Sequence, residues 1–339
     1  MRVVIVGANG YDTLESNFCE ALNHMGHTAR VFDEKEILPF AGKRSRQIVS
    51  LLADRNYSFA QWAYAKLLQK ILQYDPDLLI VTYRHIIPDM IKAFKQNRPK
   101  IPVIQINPDA VCNLGRQYII SSPYDAYFTK EPFWADMMRN KLCLNAFYLP
   151  ESFNPRIHAK PAGTKQECEN ELNVDVAVAA TLYPYRVQFL EKLFGLINRP
   201  LSVAIYGNTV PWVHTSLLQY HKGKVVLGAD KARLFRGAKI VVNNMHFLEY
   251  EGVNCRFFEV LGSGGFLLCD YKPTLEDLAI PDKEVVTFKT VHEAAEKVEF
   301  YLEHADQRIA IAEAGYQRAI KDHTYEKRIE FIFSIINQL

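Results

Sequence analysis

The sequence predicts two doubly wound α/β domains in tandem, and three observations lead there. Short β-branched runs alternate with segments of helical period along most of the chain. The rhythm restarts after a proline-rich stretch near the middle. The length, 339 residues, exceeds what one hydrophobic core usually serves. Strands alternating with helices imply right-handed crossovers and a mainly parallel sheet in each half.

In the first half, strands are expected at 3–6, 29–32, 78–82, 103–106 and 126–129. Helices are expected near 14–25, 59–73, 89–95 and 132–139. The segment 150–163 holds three prolines and a glycine, a linker composition. Beyond it, strands are expected at 174–179, 203–206, 224–227, 240–243, 266–269 and 284–288. Helices fall at 186–196, 231–236 and 256–261, and three more fill 291–339.

Composition narrows the class. Hydrophobic residues make up 49% and charged residues 23%, enough apolar material for two cores. A net charge of +2 demands no polyanionic partner. Six scattered cysteines without a C-x-x-C pair read as reduced, buried thiols of a cytoplasmic protein. The first residues, Met1-Arg-Val-Val-Ile-Val-Gly7, form a short strand and a turn rather than a signal peptide. No apolar run approaches the roughly 18 residues that span a bilayer, so no integral membrane segment is expected.

Doubly wound sheets bind ligands beyond the carboxyl ends of their strands, so loops after strands rank first. The strongest is the loop after 240–243, followed by a short helix and a glycine-rich turn. Glu251 and Glu259 flank it, seven residues apart, with Gly252 after the first. A helix opening at Asn254 would aim the N–H groups of Val253 to Arg256 at a diphosphate. Asn254 is the expected N-cap, and Arg256 could contact the phosphates bidentately. Glu259, with two carboxylate oxygens, suits the vicinal hydroxyls of a ribose. Gly262, Gly264 and Gly265 would turn the chain into the next strand. Arg186, opening the helix after 174–179, is a second cation for the diphosphate. The plainer alternatives are a chance glutamate pair, a C-cap glycine cluster and a solvated arginine.

The run Glu251-Gly-Val-Asn-Cys-Arg-Phe-Phe-Glu259 and then Gly264-Gly-Phe-Leu-Leu-Cys-Asp270 resembles the spore-maturation-protein-like group of glycosyltransferases. These are relatives of the large retaining family 4, with the GT-B fold. The likeness continues through Glu284-Val-Val-Thr-Phe288, the helix from His292, and Ala312 to Arg328. Upstream, Thr181-Leu-Tyr-Pro-Tyr-Arg186 and Ile205-Tyr-Gly-Asn208 are similar to that group's donor-domain opening. The chain departs at Pro281-Asp282, where a proline-glycine is common, and at Ala179-Ala180, where a glycine is usual.

The resemblance implies two Rossmann-like domains with a cleft between them. Residues 1–155 would be the acceptor side and 170–320 the nucleotide-sugar donor domain, with 321–339 packing back on the first. It implies retaining, metal-independent transfer from a UDP- or GDP-linked sugar to an unknown acceptor, which could be a saccharide, a protein, a lipid-linked group or a modified nucleic acid. Glu259 would hold the ribose, Glu251 the transferred sugar, and Arg186 and Arg256 the diphosphate. No cofactor beyond the donor is implied. Closure about the linker would bring Asp109 and His85 onto the sugar.

His85, after 78–82, and Asp109, after 103–106, stand at strand carboxyl ends and could bind or deprotonate an acceptor hydroxyl. Alternatively, they are a loop histidine and a turn residue after proline. Gly7-Ala-Asn-Gly10 with Asp33 faintly suggests a dinucleotide fingerprint, but the glycine spacing fails. Asp75-Pro-Asp77 precedes a strand, and His24 with His27 lacks a third ligand, so no metal site is expected. The basic run 43–46 reads as a solvated loop or an anion-facing patch. The apolar helix beginning at Tyr57 reads as a core helix, with a membrane-surface helix as the alternative. Rival readings are a sugar-nucleotide epimerase on the same fold, a non-catalytic nucleotide-sugar-binding protein, and a dinucleotide-dependent oxidoreductase.

Overall fold

A computed structural model describes residues 1–38, 45–109, 118–210 and 214–339. Lys43 and Arg44 of the basic run lie outside the described residues, as does Cys112. The chain divides into two compact units, Met1–Pro150 with Tyr325–Leu339, and Glu151–Thr324.

The first unit runs β1 (Arg2–Val6), α1 (Leu14–His24), β2 (Thr28–Phe32), α2 (Ser45–Arg55), α3 (Tyr57–Tyr74), β3 (Leu78–Val81), α4 (Pro88–Asn97) and β4 (Val103–Asn107). It continues with α5 (Tyr118–Ser121), β5 (Ala126–Thr129), α6 (Pro132–Leu142) and β6 (Ala146–Tyr148). The sheet is parallel in the order β2-β1-β3-β4-β5-β6. Val3 to Val6 and Leu78 to Val81 are buried on both faces, which is why these strands are unbroken apolar runs rather than alternating ones. One face packs Tyr64, Leu67 and Ile71 of α3 with Ile91 and Phe94 of α4. The opposite face packs Phe18, Ala21 and Leu22 of α1.

The second unit runs α7 (Lys165–Leu172), β7 (Val174–Ala179), α8 (Pro184–Leu196), β8 (Val203–Tyr206), α9 (Gly228–Gly237), β9 (Ala238–Asn243), α10 (Cys255–Gly262) and β10 (Leu267–Asp270). It ends with α11 (Leu275–Leu278), β11 (Val286–Phe288), α12 (Val291–Glu303) and α13 (Ala305–Asp322). Its sheet is parallel in the order β11-β10-β9-β7-β8. Helices α8 and α12 cover one face, and α9 and α10 the other. Helix α14 (Tyr325–Ile336) belongs to the first unit, where Tyr325 meets Phe18 edge-to-face at 5.0 Å. There Arg328 donates to the Pro150 carbonyl at 2.8 Å.

Three expectations are corrected. No strand forms at 224–227: the segment follows β8 with single backbone contacts, Lys222 N–H to Ile205 O and Gly207 N–H to Lys224 O. The proline-rich segment is not an exposed tether. Phe153 and Asn154 are fully buried, His158 is nearly so, and Phe153 joins the core of the second unit beside Phe258 and Leu261. Of the five described cysteines only Cys269 is fully buried, and Cys143 is exposed. The fully buried reading therefore holds for the strand cysteine, Cys269.

The glycines after α10 act more by close approach than by turning. A Cβ on Gly262 would lie 2.2 Å from the Phe153 ring, and one on Gly265 would lie 2.6 Å from the Phe235 carbonyl. Gly264, at φ +70°, is the left-handed residue, and the Gly265 N–H returns to Val260 O at 2.9 Å to close the helix. Asp282 stands at φ 58°, so the left-handed turn associated with a proline-glycine is kept without the glycine.

Candidate functional site

In each sheet the chain goes out to one neighbour and returns past its first strand. The topological switch points are therefore β1/β3 and β7/β9, where open α/β sheets place ligands.

At β7/β9 the loops bring cations together. Arg186, on the first turn of α8, is 5% exposed. It donates to the Thr181 carbonyl at 2.5 Å and the Asn244 carbonyl at 2.8 Å, tying the two loops. Its Nε is buried without a partner. Burial, and then the repulsion of Arg256, push this guanidinium down to about 10. Arg256, at the start of α10, donates to Asn243 Oδ1 at 2.8 Å. Two guanidiniums disfavouring each other at a helix N-terminus make a place where an anion lowers the energy of all three.

Asn254 occupies the N-cap position, but its side chain does not cap. Its amide pairs with Asn243, at 3.0 and 3.3 Å. The expected cap is thus replaced by an Asn–Asn clasp joining the end of β9 to α10, and no side chain of its N-cap accepts from the first turn of α10. Gly252 and Val253 lead into that turn, with Val253 buried. Thr274 holds the Glu251 carbonyl and Lys272 that of Glu249, so α11's approach fixes the loop.

Glu259, one turn along α10, is 8% exposed and bonds Lys231 Nζ of α9 at 2.7 Å. His158 Nε2 lies 3.8 Å from the same oxygen, Oε1. Asp270, ending β10, accepts from Met245 N–H at 2.5 Å and Asn244 at 3.3 Å. Burial raises it to about 6, although those hydrogen bonds and nearby Lys272 and Arg186 oppose the shift. Beside Arg186 the rings of Tyr183, Tyr185, His246 and Phe247 form an aromatic face, with His246 stacked on Phe247 at 4.9 Å. Leu248 N–H donates to His246 Nδ1, which engages His246 in its own loop.

At β1/β3 the first unit gathers acids and a histidine. Gly7 approaches so closely that a Cβ would lie 2.1 Å from Thr82 Oγ1. Thr82 donates to Glu15 at 2.6 Å. Asp33 accepts from Asn9 N–H at 2.8 Å, Lys35 N–H at 3.0 Å and Tyr83 O–H at 3.1 Å, so it braces the loop after β1. His85 contacts the fully buried Glu34 at 2.6 Å. Asp109, at the end of the neighbouring β4, forms an ion pair with Arg84 and an Asn107-centred turn. The acids of Asp75-Pro-Asp77 engage Arg2 and Arg98 ahead of β3. His27 packs edge-to-face on Phe333.

The structure therefore brings Arg186, Arg256 and the Gly252–Asn254 segment together, with Glu259 beyond them. His85 and Asp109 sit on adjacent strand ends of the first unit, with different partners. Sequence reasoning missed Lys231, Asp270, the aromatic face and Glu34. Glu34 stands two residues past the end of β2, behind Asp33, and its partners His85 and Tyr64 are remote in the sequence. Lys231 carried none, since a lysine early in an amphipathic helix reads as solvated.

A glycosyl transferase-like family model matches residues 186–334. Spore protein CgeB of Bacillus subtilis (strain 168) is 23% identical over 290 residues, covering 80% of this chain and 86% of that protein. Sucrose-phosphate synthase from Thermosynechococcus elongatus shares the fold with a TM-score of 0.69 at 10% identity, over 99% of this chain and 98% of that one. Anabaena HepE, solved with UDP and glucose, gives 0.65 at 12% identity over 99% of both chains. The fold is GT-B, two Rossmann-like α/β domains. Through the match over 186–334, the chain is an enzyme of the glycosyltransferase class.

Among the described residues no helix is long and apolar enough to cross a membrane.

Proposed function

We propose that this enzyme transfers a sugar from a nucleotide-sugar donor, held by the second unit, to an acceptor hydroxyl. The observation that carries the reading is Arg186, a buried guanidinium with an unpartnered Nε at the β7/β9 switch point. In transfer, the bond from the anomeric carbon to the diphosphate oxygen breaks and its electron pair leaves with the nucleoside diphosphate. Arg186, Arg256 and the N-terminus of α10 stabilise that charge, the work a metal ion does in other transferases, so the reaction is metal-independent. Glu259 takes the ribose hydroxyls and Glu251 the transferred sugar. His85 and Asp109 belong to the acceptor side. The likeness to family 4 supports retention of anomeric configuration. Solved complexes of HepE with UDP and with UDP-glucose favour a UDP-linked donor here, with a GDP-linked one next. The five cysteines among the described residues are free thiols, which suits a cytoplasmic enzyme.

Calorimetry with UDP-glucose and GDP-mannose in EDTA tests this. Saturable binding of one of them, unchanged by EDTA, is expected. Absence of binding across a panel of nucleoside diphosphate sugars would overturn the donor assignment, and strict metal dependence would overturn the metal-free mechanism.

A further inference from the structure

Glu34 lies in the turn after β2, and its side chain is wholly inaccessible. Its Oε1 accepts from Tyr64 O–H of α3 at 2.8 Å and meets His85 Nε2 at 2.6 Å. Its Oε2 is buried with no hydrogen-bond partner. Burial, and then the Glu34 charge, drive the Tyr64 phenol far above its ordinary range, so Tyr64 remains a donor. A buried carboxylate with one oxygen unmet is costly, and its Oε1 joins the buried Tyr64 phenol to His85 at the end of β3. The His85 side chain is 34% exposed and lies against the Tyr83 ring at 4.9 Å.

We propose that Glu34 is the positioning residue of His85, fixing the tautomer with hydrogen on Nε2 and a lone pair on Nδ1. The proposal rests on the reading of His85 as an acceptor-side group. Nε2–H donates to the carboxylate, so Nδ1 is the atom that meets the acceptor. As the acceptor oxygen bonds to the anomeric carbon, its proton passes to Nδ1. The diphosphate leaves with the electron pair of the broken bond. Glu34 then faces an imidazolium, whose positive charge compensates the buried carboxylate and which later releases its proton to water.

Two arms test this. In protein labelled with 15N at histidine, long-range NMR should show a pyrrole-like Nε2 and a pyridine-like Nδ1 for His85. In Glu34→Gln, where the amide can donate as well as accept, this preference should relax. An Nδ1–H tautomer in the unaltered protein, or an unchanged spectrum in Glu34→Gln, would overturn the proposal. The second arm measures UDP release from UDP-glucose with water as acceptor. His85→Gln should lower kcat about 10²- to 10⁴-fold, and Glu34→Gln about 10- to 100-fold at unchanged KM. The double variant should be no slower than His85→Gln, because Glu34 acts only through the histidine. Losses that multiply would give Glu34 an independent role and overturn the proposal. Failure of UDP-glucose to bind would fall on the proposed function and leave the spectra to decide this one.

Discussion

The two switch points occupy the same place in sheets of the same winding, yet their chemistry is opposite. At β7/β9 stand Arg186, Arg256 and the N-terminus of α10, with Lys231 behind Glu259. At β1/β3 stand Glu15, Asp33 and Glu34, with His85 as the exposed member. The fold thus fixes where a ligand can sit, and side chains choose its charge. A cationic crevice suits a diphosphate. A crevice of buried acids repels one and suits neutral hydroxyls, which can donate to carboxylates or to an imidazole.

The largest expected effect breaks the cationic half of this contrast. Glu259→Ala removes the carboxylate read as the ribose ligand and should weaken nucleotide-sugar binding by about 100-fold, from the loss of two hydrogen bonds to a charged group. Calorimetry checks it, with thermal unfolding as a control, since Lys231 loses its 2.7 Å partner at the same time. Lys231→Met provides the separation. If it weakens binding as much as Glu259→Ala, the pair is a structural clasp and the ribose assignment fails.

How far the sequence revealed this differs between the crevices for a physical reason. The strands at 126–129, 174–179 and 203–206 were read to the residue, because each is a short, mostly apolar run in a parallel sheet. Arg186 and Arg256 were legible because they follow strands inside one contiguous stretch each. Glu34 acquires its role only through His85, fifty-one residues away, and Tyr64, thirty residues away. Pairings across a parallel sheet leave no local pattern. The segment 224–227 was misread as a strand for the converse reason: Val225, Val226 and Leu227 have strand composition, but the backbone contacts to the β8 edge end at Lys224, and Leu227 is already the N-cap position of α9. Asn254 looked like an N-cap by residue type, and its amide went to Asn243 because both stand at the end of β9 and the start of α10.

A second expectation separates folding from binding within the second unit. Gly262→Ala places a methyl 2.2 Å from the Phe153 ring, itself wholly buried. Overpacking of this kind costs about 1–3 kcal/mol. The melting temperature should fall while nucleotide-sugar affinity, measured well below the transition, stays within twofold. A matching loss of affinity would mean that the 150–163 segment, through Phe153, shapes the donor crevice as well as the core.

The smallest effect concerns the acid that ends β10 in the cationic crevice. Asp270 has a folded-state value of about 6 against an ordinary 3.8, raised chiefly by burial. Between those values the folded chain binds more protons than the unfolded chain, so stability contributed by this group is present below about pH 4 and is lost as pH rises through 6. Asp270→Asn removes the penalty while leaving an oxygen to accept from Met245 N–H. The variant should match the parent near pH 4 and exceed it by about 1 kcal/mol at pH 8, after allowance for solvent screening. Urea titrations at the two pH values measure this. A variant less stable than the parent at pH 8 would show that the ionised carboxylate is held by Arg186 and Lys272 more strongly than burial opposes it. The second crevice would then be a balanced pair of charges rather than a site with a surplus of cations waiting for an anion.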